Sequence, residues 1–147
     1  MTNDKPRIIR VPFEEIVDLR YAVLRAGLPR SAAYFPGDDH SQTVHLAAKD
    51  GEKVIGCATV LVNEWNGEAA CQVRGMAVEP GQQSRGIGKE ILREVESVAR
   101  EAGVKIVWAN ARVPASAFYL KNGWEIVSEE FDIPTAGPHF KMVRKLG

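Results

Sequence analysis

The chain is poor in several features that would announce common functions. Cysteine occurs twice, at Cys57 and Cys71, and the three histidines are scattered, so no zinc-ligand spacing can be read. Both cysteines fall in apolar, strand-like stretches, which predicts small buried thiols rather than a disulfide. No apolar run approaches the length that spans a bilayer. The opening "MTNDKPRIIR" has no signal-peptide core, so a cytoplasmic location is expected. Charge of one sign is also lacking: 19 Lys and Arg face 19 Asp and Glu, for a formal net charge of zero. That removes any general pull toward nucleic acid or an anionic membrane, and neither is expected as a partner. Repeats, linkers and low-complexity tracts are missing too. What remains is 147 residues, 45% hydrophobic and 26% charged, the composition of one globular domain, residues 1–147, with its own core.

Along that domain the apolar periods alternate in type. "RIIRV" (7–11) reads as a first strand. "FEEIVDLRYAVLRAG" carries Phe13, Ile16, Val17 and Leu24 at helical spacing and stops at Gly27. "LPRSAAYFPGDDHS" is a loop with room for a short helix. "TVHLAAKD" and "KVIGCATVLVNEW" are strands joined at Asp50-Gly51, a strong hairpin signal. "EAACQVRGMAV" is a fourth strand, with Gln72, Arg74, Met76 and Val78 on one face and Val73, Gly75 and Ala77 on the other. "GKEILREVESVAREAG" is amphipathic, its stripe formed by Ile91, Leu92, Val95, Val98 and Ala99. "VKIVWANA" is a fifth strand, "PASAFYLKNG" a short helix, and "WEIVSEEFDI" and "HFKMVRKL" two closing strands. The order gives a mixed α/β domain.

The junction between the fourth strand and the amphipathic helix, "QQSRGIG" (82–88), is a candidate anion site. Backbone N–H groups converge there, where a helix dipole is positive. Two nucleotide loops are excluded. A Walker loop starting at Gly81 would need Lys and Ser or Thr after Gly86, where Ile87 and Gly88 stand. A dinucleotide fingerprint would need a third glycine where Ile91 stands.

The pattern that remains, Gln-x-x-Gly-x-Gly directly after "MAV", resembles the coenzyme A loop of the GNAT acetyltransferase superfamily. Downstream, "NARVPASAFYLKNGW" (110–124) is similar to the segment in which that family's short aromatic helix follows the fifth strand. The likeness is good over residues 54–124 and weaker at the ends. "NARVPASAFYLKNGW", "EEFDIPTAGPHFKM" and "LRYAVLRAGLP" also resemble the ElaA-like branch, with Gly137-Pro138-His139 departing from it by lacking an intervening residue. The resemblance implies a mixed α+β fold, with a mostly antiparallel sheet of about six to seven strands flanked by helices. It implies acetyl-CoA as co-substrate, no metal, and a small-molecule amine as acceptor; homodimers are common in such families.

Site residues follow from the resemblance. Met76, Ala77 and Val78 would pair with the pantetheine arm through their backbone, one N–H polarising the thioester carbonyl. Gln83, Ser84, Arg85, Gly86, Ile87 and Gly88 would cradle the pyrophosphate, with Asn110 and Phe118 also at the cofactor. Tyr119 matches the family's tyrosine acid for the departing thiolate; the plain alternative is a core aromatic. The base stays open. Gln72 stands where a glutamate is often found, and an amide does not accept a proton usefully at neutral pH. His139 is the best substitute, since histidine is the residue type suited to proton transfer at physiological pH, and Glu79 is another candidate. A coenzyme A-binding sensor without turnover and a protein N-acetyltransferase are the competing readings.

Overall fold

The computed structural model describes residues 6–147. The described residues form eight strands: β1 (Arg7–Val11), β2 (Val44–Asp50), β3 (Lys53–Trp65), β4 (Glu68–Val78), β5 (Ile106–Arg112), β6 (Glu125–Ile126), β7 (Phe131–Ile133) and β8 (Gly137–Lys145). Three α-helices accompany them, α1 (Val17–Leu24), α2 (Ile87–Glu101) and α3 (Ser116–Lys121). The strands hydrogen-bond in the order β1-β2-β3-β4-β5-β8-β6, and β7 also pairs with β8. The expected mixed, mostly antiparallel architecture is borne out, with eight strands instead of six or seven. The excess arises because "WEIVSEEFDI" does not form one strand. It breaks into β6 and β7, which meet β8 in separate registers, Glu125↔Val143 and Phe131↔His139. No described helix is long and apolar enough to cross a membrane.

The chain falls into two compact units, Met1–Leu61 with Val73–Val98, and Val62–Gln72 with Ala99–Gly147. In the first, Pro12 closes β1 with an extended ψ of 155° and opens a 3-10 turn at Phe13–Glu15 that leads into α1. The expected single helix from Phe13 is therefore shorter, because the ring of Pro12 sets φ and turns the chain before α-helical pairing begins. β1 and β2 run antiparallel from Arg7↔Lys49 to Val11↔His45, and β2 and β3 form the expected hairpin from Val44↔Val60 to Asp50↔Lys53. Its turn needs Gly51, which sits at φ +62°. Ile16, Ala47, Cys57 and Ala77 form a core cluster under α1.

α2 buries the predicted stripe in full: Ile91, Leu92, Val95, Val98 and Ala99 are at most 5% exposed. The approach of α2 to β3 depends on Gly56. A Cβ there would stand 3.0 Å from Ile91 and 3.1 Å from Ile87, inside ordinary contact distance.

In the second unit β4 and β5 run parallel through Cys71↔Val107 and Gln72↔Trp108, and β5 and β8 run antiparallel from Ile106↔Lys145 to Arg112↔His139. Ala70, Ile106 and Val143 form its core cluster, with Trp65 and Trp108 packed on it. Both cysteines are buried and unpaired, as expected.

Candidate active site

The glycine junction has the conformation its sequence demands. Gln83–Arg85 make one 3-10 turn, Gly86 follows in the left-handed region at φ +75°, and α2 begins at Ile87. Only glycine enters that region without a Cβ penalty of about 1–2 kcal/mol. The helix ladder reaches back to Gly86, whose carbonyl accepts from Glu90 N–H at 3.1 Å. The Cβ position of Gly86 points into open space, with no heavy atom within 4 Å. A left-handed glycine with open space beside it, at the positive end of a 15-residue helix, is a setting into which a phosphate fits. Arg85 stands next to it and donates to Asp50 Oδ2 at 3.0 Å and Gln82 Oε1 at 2.8 Å. Both partners of that ion pair are more than a third exposed, so the pair is weak and easily exchanged for a phosphate. Gln83 Nε2 reaches back to the Val78 carbonyl at 3.4 Å.

Before this junction β4 contains a left-handed residue, Gly75, at φ +60°. Side-chain burial still alternates around it: Val73 and Ala77 are buried, while Arg74, Met76 and Val78 are half-buried. Glu79, a candidate base, forms an ion pair with Lys53 at 3.1 Å.

The remaining expected site residues lie in the second unit. Tyr119 is 6% exposed and packs edge-on against Phe118 and Trp124, with centroids 5.4 and 5.0 Å away. Burial pushes its phenol pKa up to about 12, so it carries its proton throughout the neutral range. His139, buried on β8, donates from Nδ1 to the Gly137 carbonyl at 2.7 Å. A carbonyl only accepts, so Nδ1 bears the hydrogen and Nε2 of the neutral ring carries the lone pair. Asn110 Oδ1 accepts from Lys141 Nζ at 3.2 Å, and Lys141 lies over the Trp108 and Phe131 rings.

Gln72 belongs to a short relay whose direction is fixed by its far end. The indole N–H of Trp108 is donor only, so Asn63 Oδ1 accepts it, at 3.0 Å. Asn63 Nδ2 then donates to Gln72 Oε1 at 2.8 Å, which leaves the amide N–H₂ of Gln72 as its remaining hydrogen-bonding group. Gln72 is set as a donor, the opposite of a base.

A buried network in the first unit went unnoticed in the sequence. Arg20 on α1 is 0% exposed. It donates to Asp38 Oδ2 at 2.7 Å and Oδ1 at 3.1 Å, to the Ala33 carbonyl at 2.8 Å and to Thr59 Oγ1 at 2.6 Å. His45 Nε2 meets the Asp38 carbonyl at 2.9 Å, so it is the protonated nitrogen, and Nδ1 accepts from the Thr59 hydroxyl at 2.8 Å. Arg20 also lies over Phe35, 4.0 Å from its centroid. A Cβ on Gly75 would fall 2.8 Å from Arg20 Nε and 3.1 Å from Phe35, so the network presses on β4 one residue before Met76. Cys57 sits at the same place, its thiol 3.6 Å from the Gly75 carbonyl and its pKa pushed to about 12 by burial, against the pull of Arg20. One signal was available: Arg20 occupies the apolar stripe of its helix, four residues after Ile16 and four before Leu24. A charge there needs a buried partner. Above the network opens a cleft of about 690 Å³ lined by Phe13, Tyr34, Phe35, Asp38 and His45, with Glu14 and Asp39 at its edge.

A model of the Acetyltransferase (GNAT) family matches residues 13–124, and the chain belongs to that family. It is an acetyl-CoA-dependent acyltransferase. Among its relatives is an uncharacterized N-acetyltransferase of Bacillus subtilis (strain 168), YitI, 28% identical over 142 residues and covering 92% of this chain and 93% of that protein. The fold is that of Escherichia coli ElaA, with a TM-score of 0.80 at 17% identity over 95% of this chain and 99% of that one. It is also that of an aminoglycoside 6'-N-acetyltransferase complexed with coenzyme A, with a TM-score of 0.76 at 13% identity over 95% and 96%.

Proposed function

We propose that this enzyme moves the acetyl group of acetyl-CoA to the primary amine of a small molecule, by direct attack of the amine on the thioester. The observation that carries the reading is the junction of β4 and α2, where Gly86 at φ +75° opens a helix N-terminus toward empty space. Coenzyme A supplies the activated acetyl group; the chain supplies position and proton transfer. Amides from Gln83 to Gly88 hold the pyrophosphate, with Arg85 exchanging Asp50 for it, and Ser84 belongs to the same cradle. The backbone of Met76, Ala77 and Val78 aligns the pantetheine arm, and Asn110 and Phe118 are assigned to the cofactor as well.

As the amine nitrogen bonds to the carbonyl carbon and the C–S bond breaks, one proton leaves the nitrogen and one reaches the sulfur. His139 Nε2 takes the first, since its tautomer presents a lone pair there. Tyr119 gives the second, and a phenol whose pKa stands near 12 is a donor that never ionises in the working range. Gln72 acts as a hydrogen-bond donor and not as the base. Motif likeness over 110–124 and 129–142, with the fold likeness to ElaA, favours the ElaA-like branch. The family match runs through both compact units, which supports their working as one acetyltransferase domain. Two unpaired cysteines suit a reducing, cytoplasmic setting.

The test is a thermal shift with acetyl-CoA followed by release of free coenzyme A thiol over a panel of amines. Acetyl-CoA at 100 times its Kd should stabilise the fold by about 2.7 kcal/mol, with ATP and NAD far behind. An unmoved melting temperature, or binding without thiol release from any amine, would sink the proposal.

A further inference from the structure

Arg74, on β4, is a half-buried guanidinium that no carboxylate among the described residues hydrogen-bonds. Its one hydrogen bond among the described residues runs from Nη1 to the Pro36 carbonyl at 3.3 Å. Its guanidinium carbon lies 5.1 Å from the Phe35 centroid, and the same ring receives Arg20 at 4.0 Å and Arg25 at 4.9 Å. Asp38 is the carboxylate of this cluster, and it is already committed. It receives two bonds from Arg20 and a third from the Phe35 N–H at 2.6 Å. Burial lowers the Arg74 pKa, with Asp38 opposing and Arg20 reinforcing the shift. Arginine does not give up its proton in a protein, so this half-buried cation is a place where an anion from outside would be favoured.

The position of Arg74 says which anion. It stands two residues before Met76, and its partners Phe35 and Pro36 both line the cleft. The cleft also carries exposed Glu14 and Asp39, which oppose a dianion such as a phosphate monoester but tolerate a single carboxylate. We propose that Arg74 anchors the carboxylate of the acceptor, so that the acceptor is an amine that also bears a carboxylate, the class of the amino acids. This rests on the acetyl-transfer reading above, with the cleft as the place of the acceptor.

The experiment compares binding and turnover in the full chain and in Arg74→Met and Arg74→Lys. Calorimetry in saturating coenzyme A uses matched sets: each common amino acid, its amide, its decarboxylated amine, and phosphoethanolamine as the phosphate arm. Product formation from acetyl-CoA is followed on the same sets. At least one amino acid should bind about tenfold or more tighter than its amide and amine, as expected for a guanidinium–carboxylate pair. That preference should vanish in Arg74→Met and survive in part in Arg74→Lys. The melting temperature of each variant should stay within about 2 °C of the parent, because the hydrogen-bond partner left behind, the Pro36 carbonyl, takes part in an exposed bond that water can replace.

Equal binding of acid and amide, a preference that survives Arg74→Met, stronger binding of the phosphate, or no binding by any member would each overturn the anchor. Carboxylate binding through Arg74 without acetylated product would leave the anchor standing and remove acetyl transfer. Acetylation indifferent to the carboxylate would do the reverse.

Discussion

Asp38→Asn tests the network that shapes the cleft with the smallest change of shape. The substitution keeps the volume and removes one charge. Arg20, 0% exposed, would retain the Ala33 carbonyl and Thr59 Oγ1 but lose its counter-ion, which it holds at 2.7 and 3.1 Å. Removing one partner of a buried ion pair costs about 3–5 kcal/mol. The asparagine oxygen can replace Oδ2 and still accept from Arg20 Nη1 and the Phe35 N–H, but its NH₂ then faces Arg20 Nη2, and loss of that bond adds about 1 kcal/mol. A loss of about 4–6 kcal/mol corresponds to a fall in Tm of roughly 8–24 °C for a chain of this size. Urea denaturation followed by tryptophan fluorescence gives the free energy, and differential scanning calorimetry the Tm. The double variant Arg20→Met with Asp38→Leu should be less damaged than Asp38→Asn, because it strands no charge. A loss below about 1 kcal/mol in Asp38→Asn would refute the reasoning, as would a double variant worse than the single one.

Three further outcomes are expected. Gly86→Val should weaken acetyl-CoA binding by tenfold or more while lowering stability by only about 1–2 kcal/mol, the cost of a left-handed residue with a Cβ; parental affinity would reduce the junction to a helix start. Tyr119→Phe should lower turnover about 10²–10⁴-fold with acetyl-CoA affinity and Tm nearly unchanged, and full activity would return that ring to the core. The fold should lose stability in alkali. Cys57 and Tyr119, with ordinary values of 9.0 and 10.0, both titrate near 12 when folded, so the folded state holds their protons longer than the unfolded one. Stability is then complete below about pH 9 and falls through pH 12, by about 1.4 kcal/mol per pH unit for each group in its window. Cys57→Ala should flatten the early part of that fall, and a urea midpoint constant from pH 9 to 11 would contradict it.

Much of the fold was legible because it follows from local periods. The α2 stripe, the Asp50-Gly51 hairpin and the bounds of β4 needed only the spacing of apolar residues and the conformations open to glycine. The split of "WEIVSEEFDI" was not legible, since β6 and β7 exist only by pairing with β8, and pairing is a long-range fact. The turn and helix start at the β4–α2 junction, the proposed cofactor site, could be read from Gln83, Gly86 and Gly88 because they lie in the backbone of one short stretch. The Arg20 network joins residues 20, 33, 38, 45 and 59, and its members are individually ordinary; only the charge in an apolar stripe hinted at it. The direction of the Gln72 amide was also closed to sequence reading, for it is set by Trp108 on a neighbouring strand through Asn63.

The pairing of Gln72 with Trp108 has a consequence for the chain as it is made. A parallel partner cannot be reached by a tight turn, and the whole of α2 must emerge first. At about 5–20 residues per second, the 36 positions from Gln72 to Trp108 take roughly 2–7 s to leave the ribosome. Throughout that interval this end of β4 is a nascent edge with Cys71 and an uncommitted amide on it. The second unit closes only when β8 arrives to pair with β5. A slow codon run or a pause between α2 and β5 would therefore prolong exposure of a sticky strand, and the yield of folded protein should respond to synonymous changes there more than to those after β8.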